Sequence, residues 1–162
     1  MAKAGGGDPE DSEINQGFLA GFVGPRLRVL WNLLSARMEA ALAPFGLRSG
    51  AFSSMAIIAA NPGCSQNQLA KGLGMDKSAV VAIVDELETR GLVKRVRSAD
   101  DRRRHALSLT AAGKATMNRM RSHVLKVGQP IREELSAREH QQLLSLLERS
   151  HAALAESEKG GT

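Results

Sequence analysis

Tyrosine is absent from this chain, tryptophan occurs once and phenylalanine four times, so aromatics make up only 3% of 162 residues. With an apolar fraction of 43%, the core has to be built from Leu, Ala, Val, Ile and Met, a set that suits closely packed helices. A single cysteine, Cys64, excludes an internal disulfide. No apolar run approaches the roughly 20 residues needed to span a bilayer. The opening MAKAGGGDPEDSE is acidic and Gly-rich, unlike a signal or transit peptide. These absences predict a cytoplasmic protein with no membrane partner.

Catalytic constellations are missing as well. His105, His123, His140 and His151 are dispersed, and a zinc site needs three or four converging ligands. No Ser/His/Asp arrangement, phosphate loop or paired-carboxylate motif can be located. The expectation is therefore a non-enzyme with no catalytic residues, no metal and no cofactor.

What the chain does have is concentrated charge. Lys94 to Arg104 reads KRVRSADDRRR, six cations against two acids, a net of +4 within a total of +5. Residues 1–14 carry a net of −3, so the positive field is local and points to a polyanionic partner. Leu92-Val93 opens an extended stretch before the run, and His105-Ala-Leu-Ser-Leu109 resumes a period-two alternation after it. That pattern predicts a β-hairpin with a cationic tip.

Helical signals surround the hairpin. Ile14, Phe18 and Phe22 share one stripe, weakened by Gly17 and Gly21. Pro25 suits the start of a long helix reaching Ala43, and Pro44-Phe45-Gly46 ends it. A third helix, about Ser49 to Ala60, puts Phe52, Met55, Ala56 and Ala59 on one face before Asn61-Pro62-Gly63 stops it. Ser65-Gln-Asn-Gln68 is a capping box that starts a short helix. Gly74 turns the chain, and Asp76 is the expected N-cap of the next helix. There Val80, Ile83, Val84 and Leu87 fall at i, i+3, i+4, i+7, facing a core. Gly91 closes that helix in the left-handed conformation. Thr110 caps a helix to about Val127, Gln129-Pro130 disturbs it, and Ser136-Ala-Arg-Glu139 caps the last. Leu143, Leu144, Leu146, Leu147 and Leu154 give that helix more apolar width than a monomer of this size covers, which predicts self-association. The fold class is mainly α, with a winged helix-turn-helix lobe and a two-stranded β-hairpin wing.

Residues 65–113 resemble the MarR family of bacterial transcriptional regulators. The resemblance rests on Leu69-Ala70, Asp76-Lys77-Ser78, Leu87-Glu-Thr-Arg-Gly-Leu-Val93, Asp101-Arg102-Arg103 and Leu109-Thr-Ala-Ala-Gly113. It implies a homodimer on a pseudo-palindromic double-stranded DNA operator, released in many relatives by a small aromatic or phenolic ligand. The implied organisation is a flexible tail at 1–13 and a single domain at 14–162. Within that domain, 14–48 and 111–162 supply N- and C-terminal dimerisation helices, and 49–110 the DNA-binding lobe.

The candidate DNA contacts are Ser65 and Gln66, the outward recognition-helix residues Lys77, Ser78, Ala79, Val81 and Ala82, and the wing. In the wing Lys94, Arg95, Arg97, Arg102 and Arg104 would meet phosphates. The resemblance places Arg103 in the minor groove, with Asp101 holding the wing's conformation. Trp31 and Met55 are candidate ligand-cleft walls. The leading expectation is a ligand-released repressor. Its alternatives are a constitutive or architectural DNA-binding protein, a winged-helix adaptor for protein, and a regulator that senses oxidants through Cys64.

Overall fold

The computed structural model describes residues 15–97 and 105–160. The chain divides into two compact units at Leu33 and Leu34. In the first, a 3-10 turn spans Gly17–Gly21 and helix α1 (Val23–Leu42) begins. Gly17 takes φ +54°, and Phe18 meets Phe22 edge-on at 5.9 Å. Of the expected stripe, Ile14 lies outside the described residues, and Phe18 falls in a tight 3-10 turn rather than an α-helix, as the two weakening glycines allow.

The second unit contains the rest of α1, then α2 (Ser49–Ala60), α3 (Gln66–Leu73), α4 (Lys77–Thr89), β1 (Val93–Arg97), β2 (His105–Leu109), α5 (Ala111–Val127), α6 (Gln129–Glu134) and α7 (Ala137–Gly160). Gln129-Pro130 does more than disturb α5, since Pro130 sits in the first turn of the separate short α6.

Helix α2 is the hub, packing against α3, α4, α5 and β2. Its buried residues are Ala51, Ser54, Met55 and Ile58, whereas Phe52, Ala56 and Ala59 are only half-buried. The inward face is therefore turned from the one that periodicity suggests. A helix apolar on nearly every side carries little directional signal, and its neighbours decide which way it faces. Around it, α3 contributes Leu69 and Ala70, and α4 contributes Val80, Ile83, Val84 and Leu87.

Local capping agrees with the sequence at most ends. Gln68 N–H donates to Ser65 Oγ at 3.2 Å while Ser65 N–H donates to Gln68 Oε1 at 2.9 Å, the reciprocal box expected for α3. Helix α4 ends in a Schellman motif: Leu92 N–H donates to Leu87 O at 2.8 Å and Gly91 N–H to Glu88 O at 2.8 Å, with Gly91 at φ +67°. Asp76 departs from expectation. It occupies the N-cap position of α4 in extended conformation, but its side chain makes no capping hydrogen bond.

The strands β1 and β2 pair antiparallel, with Val93 opposite Leu109 and Arg95 opposite Leu107. The outer edge of β2 is also used. Gly63 N–H donates to Leu107 O at 2.8 Å, and Leu107 N–H to Cys64 O at 2.9 Å, joining the turn after α2 to the wing.

Candidate nucleic-acid interface

Helices α3 and α4 with the intervening Gly74 turn form the helix-turn-helix, and the β1–β2 hairpin forms the wing. Burial of Val80, Ile83, Val84 and Leu87 turns the opposite side of α4 outward. Lys77, Ser78 and Ala82 are exposed there, and Val81 is 40% exposed. Ala79 is half-buried and instead lines a shallow depression between α3 and α4 with Ala70, Lys71 and Met75. Ser65 and Gln66 are half-buried at the start of α3. The Ser65 hydroxyl is occupied by the capping box, while the buried Gln66 Nε2 has no partner among the described residues.

On the wing the cations divide. Lys94 is exposed on the outer face. Arg95 shares a strand face with buried Val93 and so turns inward toward α4. Its guanidinium, 18% exposed, donates to Glu88 Oε2 at 2.6 Å and to Asp85 Oδ1 at 2.5 Å. The Arg95 backbone N–H, free of the β ladder, donates to Glu88 Oε1 at 3.1 Å. Burial opposes its charge, but hydrogen bonds and attraction from Asp85 and Glu88 outweigh burial and raise its pKa above the ordinary value. The expectation of Arg95 as a phosphate cation is corrected accordingly: it latches the wing to α4. Strand alternation after Leu92-Val93 was the available signal. Arg97 lies on β1, and Asp101, Arg102, Arg103 and Arg104 lie outside the described residues.

Thr110 fastens the other side of the wing. Its Oγ1 donates to Gly91 O at 2.6 Å and accepts from Gly113 N–H at 2.9 Å, while its own N–H donates to Leu92 O at 3.0 Å. One residue thus joins the end of α4 to the start of α5, giving the Leu-Thr-x-x-Gly segment a structural reason.

A second charged cluster sits at the far end of α4. Glu86 pairs with Arg48 at 2.9 Å and with Arg90 at 3.5 Å. Arg90 also donates to Phe45 O at 3.2 Å and Gly46 O at 2.5 Å, tying the turn after α1 to the end of α4. Beside it lies a cleft of about 490 Å³ lined by Pro44, Phe45, Leu47, Arg90, Leu92, Thr116 and Arg119. Arg119 is exposed, donates to Thr116 Oγ1 at 3.3 Å and has no carboxylate in pairing range among the described residues. Because its lining comes from three segments far apart in the chain, no local sequence pattern marks this cleft. Met55, expected to line one, is instead wholly buried in the core, and Trp31 is 69% exposed on α1.

Cys64 is half-buried, and burial pushes its thiol above the ordinary pKa, against a smaller lowering from a backbone hydrogen bond. No group of three His, Cys, Asp or Glu among the described residues could hold a metal ion. No single described helix is long and apolar enough to cross a membrane.

Residues 46–104 match the MarR family. The transcriptional repressor CouR bound to a 23-mer DNA duplex superposes at a TM-score of 0.73 with 33% identity, covering 87% of this chain and 99% of that one. The chain belongs to the MarR family. CouR from Rhodococcus jostii RHA1 bound to p-coumaroyl-CoA superposes equally well, at a TM-score of 0.73, with 28% identity over 82% of this chain and 93% of that one. A Thauera aromatica protein named as a transcriptional regulatory protein for the hcr operon is 36% identical over 104 residues, 64% of this chain. The match spans 63% of that relative's length.

Proposed function

We propose that this protein is a sequence-specific, DNA-binding transcriptional regulator that acts as a homodimeric repressor and lets go of its operator when a small organic anion binds. The observation that carries the reading is the joint presentation of α4 and the wing. The outward side of α4 carries Lys77, Ser78, Val81 and Ala82, and Arg95 latches the wing to that same helix. A recognition helix in the major groove with a basic hairpin beside it is the docking geometry this arrangement suits. CouR, the similar repressor, is bound to a DNA duplex.

Two further features support the dimer and the effector. None of the described residues of α7 is buried, and Leu144, Leu146, Leu147 and Leu154 are 38–69% exposed. A second copy of the chain covers such a face, and two-fold symmetry then matches a pseudo-palindromic operator. For the effector, the cleft at Phe45 joins apolar walls to two guanidinium groups, suited to an aromatic or thioester anion, and CouR is found with p-coumaroyl-CoA. An anion here competes with the Phe45 and Gly46 carbonyls for Arg90, and so loosens the tie between the α1–α2 turn and α4.

The test is fluorescence anisotropy of the full chain on the DNA upstream of its own gene, across a salt series, with and without p-coumaroyl-CoA. Tight binding by a species of about twice 17.3 kDa, weakened by the thioester in the wild type and less so in Arg119→Ala, is expected. Binding no tighter than to unrelated duplex of equal length would sink the regulator reading. Effector insensitivity alone would leave a constitutive DNA-binding protein.

A further inference from the structure

Ser78, Val81, Ala82 and Asp85 follow one another at i, i+3, i+4 and i+7 on α4, so they form one outward stripe opposite the buried one. At its end, the Asp85 carboxylate is taken by Arg95 at 2.5 Å. In its middle stand Val81, 40% exposed, and the exposed Ala82, neither of which carries a donor or acceptor. The one long donor of the helix's first turn is Lys77. Bidentate reading of guanine needs Arg or Lys and that of adenine needs Asn or Gln, and the middle of this stripe has none of them.

An apolar pair pressed onto a base edge strips water from whatever lies beneath. Against guanine N7 and O6, or the cytosine amino group, that leaves polar atoms without partners, which is penalised. The only apolar group that a base pair displays in the major groove is the thymine C5-methyl. We propose that Val81 and Ala82 form a methyl-reading patch, selecting base pairs that carry a 5-methyl pyrimidine at the centre of each half-site. The proposal rests on the DNA-binding reading above and adds to it the chemistry of specificity. Because the recognised feature is the methyl group itself, thymine and 5-methylcytosine share it, whereas uracil and cytosine lack it.

The experiment starts from a pool of random 23-mer duplexes passed repeatedly over the full-length protein. The enriched duplex is then resynthesised with deoxyuridine replacing thymidine at one position at a time, a change that removes a methyl and alters no base-pair hydrogen bond. Removal of a contacted methyl is expected to weaken binding roughly fourfold, from the transfer free energy of one buried carbon. The loss should be confined to one or two positions per half-site. Val81→Ser, a change at a surface position, should show no further loss on the deoxyuridine duplex and should keep the wild-type salt slope. Ala82→Ser should blunt the effect at the neighbouring position. A C·G pair placed there should bind better when its cytosine is 5-methylated. Equal affinity for every deoxyuridine duplex would overturn the methyl patch while leaving sequence-specific binding intact. So would undiminished deoxyuridine sensitivity in both variants. Failure of the pool to enrich any sequence would remove the sequence-specific reading, and this proposal with it.

Discussion

Replacing Gly113 with alanine sets two effects of opposite sign against each other. Gly113 is the third residue of α5 and takes no positive φ, so alanine suits the backbone, and inside a helix it is favoured over glycine by up to ~1 kcal/mol. Against that stands the packing. A Cβ built on Gly113 lies 2.0 Å from the Leu92 carbonyl oxygen and 2.9 Å from its carbon, whereas real Cβ atoms essentially never approach within 3.0 Å. The helix and Leu92 have to separate by about 1 Å. Leu92 has little room to retreat, because its N–H is bonded to Leu87 O at 2.8 Å and its carbonyl accepts from Thr110 N–H at 3.0 Å. Moving α5 instead strains the Thr110 bonds to Gly91 and Gly113 that cap it. Overpacking at roughly 1–3 kcal/mol and a weakened cap at about 1 kcal/mol outweigh the propensity gain.

The net expectation for Gly113→Ala is a loss of ~1–3 kcal/mol, which for a chain of this size lowers the melting temperature by roughly 2–12 °C. Gly72 is the matched control. It sits in the last turn of α3 without a positive φ, and its added Cβ meets only the Ile57 side chain, Cδ1 at 3.4 Å and Cγ2 at 3.9 Å, both ordinary contacts. Gly72→Ala should be neutral or stabilising by up to ~1 kcal/mol. Thermal and urea melts followed by circular dichroism make the comparison. A Gly113→Ala protein melting at or above the wild type would refute the close-approach argument, because propensity would then have won.

Lys94→Ala should reduce the salt slope of log K for DNA by roughly 0.9, whereas Arg95→Ala should leave the slope near wild type and cost about 1 kcal/mol of stability, a figure kept small by the exposure of its partners; equal slope losses would return Arg95 to the phosphate cations. The raised pKa of Cys64 means its thiol is protonated at neutral pH. It should alkylate more slowly than a free thiol there and accelerate only above the usual ~8.5. The stability linked to that protonated thiol is present below the ordinary value and lost as pH rises through the folded one. Peroxide-driven DNA release that Cys64→Ser abolishes would contradict this inert reading. The Glu139 carboxyl is held below its ordinary pKa by hydrogen bonds from the Ser136 side chain and then its backbone N–H. Its contribution to the first turn of α7 is present above the unfolded value of about 4.3 and lost as pH falls through the folded one. NMR titration of the Ser136 amide follows it, and an identical acid profile in Glu139→Gln would exclude the carboxylate as the cause.

The parts legible from sequence are those fixed by neighbours a few residues away. Ser65 with Gln68, Thr110 with Gly113, Ser136 with Glu139, and Gly91 closing α4 all act within one turn, where local chemistry decides. The apolar stripe of α4 was equally plain, because four large apolar residues, Val80, Ile83, Val84 and Leu87, fall at i, i+3, i+4 and i+7. What escaped depends on partners far along the chain. The inward face of α2 is set by four packed elements, the burial of Met55 by that choice of face, and the cleft at Phe45 by segments 44–47, 90–92 and 116–119 converging. Gly113 was readable as a motif residue, but its reason, the Leu92 carbonyl, lies twenty-one residues earlier.

The charge of the wing, the feature that dominated the sequence, has to be revised downward in the same way. Of the six cations between Lys94 and Arg104, one is committed to Asp85 and Glu88, so at most five remain for phosphates. Within the proposed function that caps the wing's part of the salt slope at about 4.5 per protomer. Phosphate contacts of this kind fix register and orientation and carry no base information. Discrimination between operators then has to come from the exposed face of α4 and from the shape of the DNA. By neutralising Arg95, Asp85 and Glu88 exchange one phosphate contact for a fixed angle between wing and helix. That exchange gives up some non-specific affinity, and a protein that must leave bulk DNA for one site gains by it, because the specificity ratio, not affinity alone, governs occupancy of the operator.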